Sequence, residues 1–241
     1  MSLGGEPAVL AERATALDEG RPLFRHVSFA LPAGHSLALL GQHSAAAALL
    51  ECLAGRRRLA EGRLRVLGLE PTRRWRLRGH RKYRPGGSRI PATPNAPQLL
   101  LLDRPERPSA EEQRWLREQT AAGMSVVLAA LGPDEASALA DRAALLSRGR
   151  LVAEGEISEI LRRFRRLRFV NRLTENRTAF GTELDEFEAV RVRVRGWGIE
   201  AVVANFDAAA FDRLRAIDGV ADAEAEAMTL AEIIDACAEG G

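Results

Sequence analysis

The stretch "LALLGQHSAAAALLECLAG", Leu37 to Gly55, decides the fold. An apolar run ends at Gly41, small residues follow, and leucines then recur at helical spacing as far as Gly55. The pattern predicts a buried strand, a short loop and a helix over residues 45–55, since glycine commonly follows the last turn of a helix. A strand, a glycine-containing loop and a helix in this order form the outline of a phosphate-binding loop.

The residues that would hold a phosphate are absent from this loop. Such a loop uses glycines so that backbone N–H groups reach the phosphates, a lysine for their charge, and a Ser or Thr for Mg²⁺. Counting from Gly41, the later glycine is Ala46, the lysine is Ala47 and the hydroxyl residue is Ala48. Alanine is the best helix former, so these positions favour a helix start over an ATP site. His43 is interpreted as a solvated turn residue rather than a catalyst.

Outside this stretch, predicted strands alternate with predicted helices. Apolar runs over residues 99–103 and 125–131 predict two more buried strands. A helix follows Ser109, with Ser109 as its N-cap and Glu112 at the third position of a capping box. This order predicts an α/β fold with a mainly parallel sheet covered by helices on both faces. After Phe164 the alternating "VRVRVR" and later strand and helix patterns predict a small α+β unit.

We therefore divide the 241 residues into a core over 1–164, a basic linker over 165–188 and an α+β domain over 189–241. The net charge of +2 points to no class of partner. The sequence has neither an apolar run of 18 residues nor a basic start followed by an apolar segment, so we expect no membrane span and no secretory signal. The two cysteines, Cys52 and Cys237, do not suggest a disulfide, which favours a cytosolic protein.

These blocks, in this order, resemble the nucleotide-binding subunit of an ATP-binding cassette (ABC) transporter. The resemblance rests on "PLFRHVSFALPAGHSLALLG" with the helix after it, on "PQLLLLDRP" and on "DEASALADRAALLSRGRLVAEG". The C-terminal unit, which ends in "LAEIIDACA", is similar to the accessory domain of exporter-type cassettes. The resemblance implies a P-loop NTPase-like core in a cytoplasmic protein at the inner face of a membrane. It also implies partners, namely a permease, an intact ABC ATPase subunit or both.

Other positions that the family uses for ATP chemistry are also replaced. Asp103 stands where the family holds Mg²⁺ through water, but the next position, a glutamate in the family, is Arg104. A guanidinium does not deprotonate in proteins, so Arg104 cannot act as a general base. Asp103 is then interpreted as a strand-end turn residue rather than a metal ligand, and Leu131 occupies the place of the family's switch histidine. The helical subdomain that carries the family's signature motif is missing between the two strand motifs.

The replacement of these residues predicts that the chain is a pseudo-ATPase. Such a chain would be a structural or regulatory component of an ABC exporter complex, without enzymatic activity and without ATP, metal or another cofactor. The sequence leaves a homodimer and a heterodimer open, and nucleic acid is not the expected partner. A third interpretation is a residual ATPase with unusual ligands. Lys82 is the only lysine in the chain, so no other lysine can stand in at a phosphate site.

Residues 71–98 show no helical or strand periodicity and predict an irregular loop. An alternative function starts from this loop: a repurposed cassette scaffold whose arginine-rich segment 72–84 binds a protein, a nucleic acid or an anionic membrane surface. The alternative without a binding function is a solvated loop whose arginines pair with nearby acids. The candidate partner-binding residues are Arg73, Arg74, Trp75, Arg76, Arg78, Arg81, Lys82, Tyr83 and Arg84.

Overall fold

The computed structural model of the protein consists of two compact units, residues 1–154 and 155–241. It describes residues 6–41, 43–73, 75–90, 96–105, 107–129, 132–171, 184 and 186–239. In this described part, no helix has the length and apolar character needed to cross a bilayer.

The first unit is built around a six-stranded sheet in the order β5-β6-β7-β3-β8-β9. Among themselves, the first five strands in this order, β5, β6, β7, β3 and β8, pair in parallel. Its strands are β3 (Ser36–Gly41), β5 (Arg81–Arg84), β6 (Leu99–Asp103), β7 (Ser125–Ala129), β8 (Arg142–Ser147) and β9 (Arg150–Glu156). Apolar side chains of β3, β6 and β7 are almost fully buried on both faces, which is typical of a central parallel strand. The predicted α/β fold with a mainly parallel sheet is confirmed.

A second, antiparallel sheet completes the core of this unit. It has the order β2-β1-β4 and contains β1 (Val9–Asp18), β2 (Arg21–Leu31) and β4 (Glu61–Val66). Helix α1 (His43–Leu53) packs against β2 on one side and against β6 and β7 on the other. One hydrophobic cluster therefore joins both sheets, and Leu49, Leu50 and Leu53 of α1 lie in it without solvent exposure.

Two further helices, α2 (Ala110–Ala121) and α3 (Pro133–Leu139), pack against each other. Their buried residues Leu116 and Leu139 lie outside the cluster around α1, as expected for helices on the opposite face of the parallel sheet. The predicted capping box is present at α2: the Ser109 hydroxyl accepts from the Glu112 N–H at 3.2 Å, and the Ser109 N–H donates to the Glu112 carboxylate at 2.8 Å.

The segment between β4 and β6 contains a strand that the sequence analysis missed. Residues 81–84 form β5, which pairs in parallel with β6 at the edge of the sheet, so the prediction of an irregular loop is wrong there. Charged side chains are common on edge strands, and they hide the apolar pattern by which a strand is recognised. Across residues 67–73, 75–90 and 96–98, the described parts of this segment, there is no helix.

The second unit is a four-stranded antiparallel sheet in the order β11-β12-β10-β13. Its elements are α4 (Ile157–Arg163), β10 (Arg165–Asn171), β11 (Ala189–Arg195), β12 (Gly198–Val203), α5 (Ala208–Arg215), β13 (Val220–Ala227) and α6 (Leu230–Glu239). Leu167 and Phe169 of β10 are fully buried in a cluster with Phe211 and Leu214 of α5. The predicted small α+β unit is therefore confirmed.

The predicted linker over residues 165–188 is wrong for its first seven residues, because these form β10 between β12 and β13. Two of the arginines that suggested a linker are instead paired with acids of the same unit. Arg166 contacts Glu232 of α6 at 2.9 Å, and Arg168 contacts Glu226 of β13 at 2.8 Å. The boundary between the units accordingly falls before α4 rather than after it. Residues 172–183 and 185 lie outside the described part.

Candidate functional site

The candidate site is the edge of the parallel sheet at which the strands end. Gly41, Arg84, Asp103 and Ala129 are the last residues of β3, β5, β6 and β7. Ligands of open α/β sheets bind outside the carboxyl ends of the strands, so a nucleotide site would lie at this edge.

Gly41 has a structural reason to be glycine at this edge. Its φ is +98°, and a Cβ added there would lie 2.0 Å from the carbonyl oxygen of Leu146 on β8. The alanines that follow also have a packing role, because Ala46 and Ala48 are 2% and 3% exposed. The prediction of a helix start at these positions is confirmed: α1 begins at His43, whose side chain is exposed.

No lysine is available to this loop. β5, β6, β7 and β3 lie side by side in that order, so Lys82 on β5 is three strand spacings, or roughly 14 Å, from β3. Lys82 also sits in the middle of its strand, opposite Leu100, and not at the end where a ligand would bind. The position that the loop pattern reserves for a lysine, Ala47, belongs to the second turn of α1.

At the end of β6, Asp103 lies beside Arg104. The Arg104 Nε is 3.7 Å from the Asp103 Oδ1, and the two side chains are 43% and 14% exposed. The backbone of Arg104 has a φ of +42°, and its N–H donates to the carbonyl of Ala129 at 3.0 Å. The backbone therefore holds the cationic side chain of Arg104 close to the carboxylate of Asp103.

The segment after β5 packs around Arg104, a feature that the sequence analysis did not predict. The Gly87 N–H donates to the Arg104 carbonyl at 3.1 Å, and a Cβ on Gly86 would approach the Arg104 guanidinium to 3.2 Å. The Gly86-Gly87 pair is the sequence signal for this contact. Two polar atoms at this edge, the Arg84 Nε and the Asp103 Oδ1, are buried without a hydrogen-bond partner in the described structure.

The pKa of Tyr83 depends on the charged groups at this edge. Burial raises the pKa of its phenol, and the negative charge of Asp103 raises that pKa further. The guanidinium of Arg56 lies over the Tyr83 ring at 5.2 Å from its centroid. The carboxylate of Asp103 therefore lies close enough to Tyr83 to act on its phenol.

The arginine-rich segment divides into an internal part and an exposed part. The Arg81 guanidinium donates to the carbonyls of Leu53, at 2.8 Å, and Pro71, at 3.2 Å, and so joins the end of α1 to the next turn. Lys82, Tyr83 and Arg84 are half-buried with it in β5. The exposed candidates are Arg73, Trp75, Arg76 and Arg78, and Arg74, like Leu131 at the switch position, lies outside the described residues.

No protein-family model and no curated protein matches this chain. Solved structures are similar to it in fold. An ATP-binding subunit of an ABC transporter shares 14% sequence identity at a TM-score of 0.55, over 64% of this chain and 92% of its own. The protein cbiO1 from Clostridium perfringens, part of the ABC transporter complex cbiONQ, shares 13% at a TM-score of 0.53, over 65% and 91%.

A bacterial Atm1-family ABC exporter with ATP bound shares 15% identity at a TM-score of 0.52, over 67% of this chain and 41% of that one. The fold is that of an ATP-binding cassette. Identities this low establish the fold alone, so the activity has to be argued from the residues at the edge of the sheet.

The described residues of this edge do not fit Mg²⁺–ATP. The start of α1 offers alanines where a phosphate loop needs a lysine and a metal-binding hydroxyl. The carboxylate of Asp103 faces the guanidinium of Arg104, so a divalent cation there would meet a positive charge. Elsewhere in the described part of the chain, no three His, Cys, Asp or Glu side chains are grouped as a metal site requires.

Proposed function

We propose that this chain is a pseudo-ATPase, a non-catalytic cassette subunit that serves an ABC exporter complex as a structural or regulatory component. The observation that carries the proposal is the guanidinium of Arg104 beside the carboxylate of Asp103. In this position the family has a carboxylate that activates water, and a guanidinium cannot take up a proton. The same cation also pairs with Asp103 from within the chain, at 3.7 Å.

The packing of α1 supports the proposal. Ala46 and Ala48 are buried against the rest of the core, so the start of the helix contributes to stability without a ligand. The buried strands keep a complete apolar core while the chemistry at their ends is replaced. Selection on a docking shape, rather than on catalysis, explains this combination.

The first test is the binding of Mg²⁺–ATP to the native chain. A ligand at 100 times its Kd stabilises the native state by about 2.7 kcal/mol, which corresponds to a rise in Tm of about 5–10 °C for a chain of this size. We expect no Mg²⁺-dependent rise in Tm with 5 mM ATP and no release of phosphate. The matched control is the Asp103→Asn variant, which removes the carboxylate that a metal would need.

Two results would contradict the pseudo-ATPase proposal. One is a Mg²⁺-dependent stabilisation by ATP that the Asp103→Asn variant loses. The other is a steady release of phosphate that the same variant abolishes. Binding that depends on neither Mg²⁺ nor Asp103 does not belong to a cassette site and leaves the proposal intact.

The proposed partners follow from the neighbours in fold. cbiO1 is part of the cbiONQ transporter complex, and the Atm1-family protein is an exporter. We infer that this chain likewise acts with a permease, an intact ABC ATPase subunit or both, as a cytoplasmic protein at the membrane surface. Affinity purification in mild detergent, with mass spectrometry of the retained proteins, tests this, and recovery of the chain without any transporter component would contradict it.

An exposed aromatic and its neighbours favour a second candidate function, a repurposed scaffold that binds a partner outside any transporter. Trp75 is 74% exposed, and the guanidinium of Arg76 lies over its ring at 5.1 Å from the centroid. Arg73 and Arg78 are exposed beside them in the sequence. In the same purification, the Trp75→Ala variant would lose such a partner but retain a permease or an ATPase subunit.

A further inference from the structure

A cavity of about 810 Å³ lies at the far end of α1 from the candidate site. Its walls come from Cys52 near the end of α1, from residues 57–59, from β4 and from residues 68–73. Cys52 follows the first residue of α1 by nine positions, which places it about 13 Å along the helix from the edge of the sheet. The volume falls within the range of roughly 300–1,000 Å³ that is usual for small-molecule sites.

Arginines dominate the wall of this cavity. Among its described wall residues, five are arginines and Glu70 is the only acid; the arginines are Arg57, Arg58, Arg63, Arg65 and Arg73. Glu70 contacts Arg73 at 3.8 Å between exposed side chains, a weak pair. A further carboxylate, that of Glu6, packs against Gly68 without forming part of the wall.

Arg57 is held in place by two carboxylates and a backbone carbonyl, and it forms one side of the cavity. Its Nε lies 2.9 Å from the Glu51 carboxylate, and its Nη1 lies 3.5 Å from Asp18 and donates to the Leu17 carbonyl at 3.3 Å. The hydrogen bond that Arg57 donates to Glu51 raises the pKa of Arg57 above its usual value. Arg57 is thus oriented and paired by the fold, whereas Arg73 has only its weak pair with Glu70.

Arg58, Arg63 and Arg65 have no carboxylate within 4 Å among the described residues. Arg63 and Arg65 are two positions apart on β4, so both project from the same face of the strand. Opposite Arg65 on β1 is Leu10, and opposite Arg63 is Glu12, which forms no ion pair with it. Like charges gathered in this way repel each other, and a bound anion would relieve the repulsion.

The wall chemistry selects the class of ligand. Guanidinium groups match phosphate oxygens in a forked, two-bond geometry. The described wall contains no aromatic ring on which a base could stack, and its apolar part consists of Leu59, Leu64, Leu69 and Pro71. Burial raises the pKa of Cys52 to about 12, so its thiol stays protonated and contributes no negative charge. Recognition would therefore depend on the anionic groups of the ligand.

We propose that the cavity walled by residues 57–59, β4 and residues 68–73 binds a small soluble anion that carries two or more phosphate groups. The site is separate from the edge of the parallel sheet and does not depend on Mg²⁺. The probe for a test is inorganic tripolyphosphate, titrated into the full chain by isothermal titration calorimetry without divalent cations. Sodium chloride at matched ionic strength corrects for general screening.

The decisive variant is the Arg58→Glu/Arg65→Glu chain, and the matched control is Arg21→Glu/Arg25→Glu. Both pairs of arginines are exposed and both variants change the net charge equally, but Arg21 and Arg25 lie on β2, the opposite edge strand of the same sheet. We expect one tripolyphosphate per chain, at least tenfold weaker binding in the first variant and less than a threefold change in the control.

Three results would overturn the proposal. The first is that the native chain does not bind tripolyphosphate at millimolar concentration. The second is that both variants lose affinity for tripolyphosphate equally. The third is that the chain is retained on vesicles of anionic phospholipid and tripolyphosphate does not displace it. The Arg58→Gln/Arg65→Gln chain keeps the test decisive if the charge-reversed chain does not fold, because exposed glutamines leave the core unchanged. ATP carries a triphosphate, so ATP binding that these variants abolish belongs to this cavity, whereas binding that Asp103→Asn abolishes contradicts the pseudo-ATPase instead.

Discussion

The aspartates at the two edges of the parallel sheet, Asp141 and Asp103, are held in different ways. Where the strands begin, the Asp141 carboxylate accepts from the Ser36 N–H at 2.8 Å, from the Ser36 hydroxyl at 2.7 Å and from His35 Nδ1 at 2.6 Å. Where the strands end, the Asp103 Oδ1 and the Arg84 Nε are buried without a hydrogen-bond partner in the described structure. Both oxygens of Asp141 are therefore paired, whereas one oxygen of Asp103 is not, and the Arg142 Nε at the first edge is also buried without such a partner.

The difference between the two aspartates separates a hydrogen-bond network that maintains the fold from a residue at the ligand-binding edge of the sheet. Buried polar groups in native proteins are almost always hydrogen-bonded, so exceptions call for an explanation. The network around Asp141 ties the start of β3 to the start of β8. Asp103 and Arg84 lie at the edge outside which ligands of open α/β sheets bind, and this is the edge that the pseudo-ATPase proposal concerns.

The largest expected effect is at the edge where the strands begin. The Asp141→Ala variant leaves the N–H and hydroxyl of Ser36, a residue only 6% exposed, without their acceptor. An unsatisfied buried group costs about 1–3 kcal/mol, so we expect the free energy of unfolding to fall by about 2 kcal/mol in urea titrations. The control is Glu118→Ala on α2, an exposed residue for which we expect a change within about 0.5 kcal/mol. Equal changes in the free energy of unfolding of the two variants would show that the Asp141 network does not stabilise the fold.

Acid should weaken the same edge. Burial alone would raise the pKa of Asp141, but the hydrogen bonds from Ser36 and His35 outweigh it and lower that pKa below its ordinary value of 3.8. A carboxylate with a lowered pKa stabilises the native state above its ordinary value, and this contribution is lost as the pH falls through the folded-state pKa. We therefore expect the stability difference between the native chain and Asp141→Asn to be full at pH 5.5 and to shrink towards pH 2.5.

Other acids titrate in the same range, so only the difference between the two chains is informative. Glu232, for example, has its pKa lowered to about 2, first by the Thr229 backbone N–H and then by Arg166, and this contribution cancels in the comparison. A difference that stays constant from pH 5.5 to pH 2.5 would contradict the assignment to the Asp141 carboxylate.

Short-range signals in the sequence predicted most of the fold. The apolar runs of β3, β6 and β7 and the capping box of Ser109 and Glu112 lie within a few neighbouring residues and are all present. The missed strands β5 and β10 are rich in arginine. In β10, Arg166 and Arg168 donate to Glu232 and Glu226, about sixty residues later. Over that distance a sequence pattern gives no sign of pairing.

The candidate site was predictable in its residues but not in its environment. The alanines of α1 and the Asp103-Arg104 pair could be read from motif spacing. The packing of Gly86 against Arg104, and the burial of the Arg84 Nε, depend on β5 lying next to β6. That neighbour relation is set by the tertiary fold, because a short charged edge strand has no periodicity of its own.

The smallest energetic effect is expected for Asp103→Asn. Arg104 is 43% exposed and stays solvated without its partner, while the mostly buried Asp103 is relieved of its charge, so the two effects oppose each other. We expect the free energy of unfolding to change by less than about 0.5 kcal/mol. A loss of several kcal/mol would mean that this pair supports the fold as the Asp141 network does.

The same variant has a sharper spectroscopic readout, because Tyr83 is the only tyrosine in the chain. Burial is the main reason why the pKa of its phenol is raised, and the charge of Asp103 is the next. Removing that charge should lower the pKa of Tyr83, as measured by tyrosinate absorbance over the pH range in which circular dichroism shows a folded chain. Glu118→Gln, which removes a distant charge, should leave the titration unchanged. An identical titration in Asp103→Asn would mean that Arg104 already neutralises Asp103 completely, and the contrast between the two edges would then rest on hydrogen bonding alone.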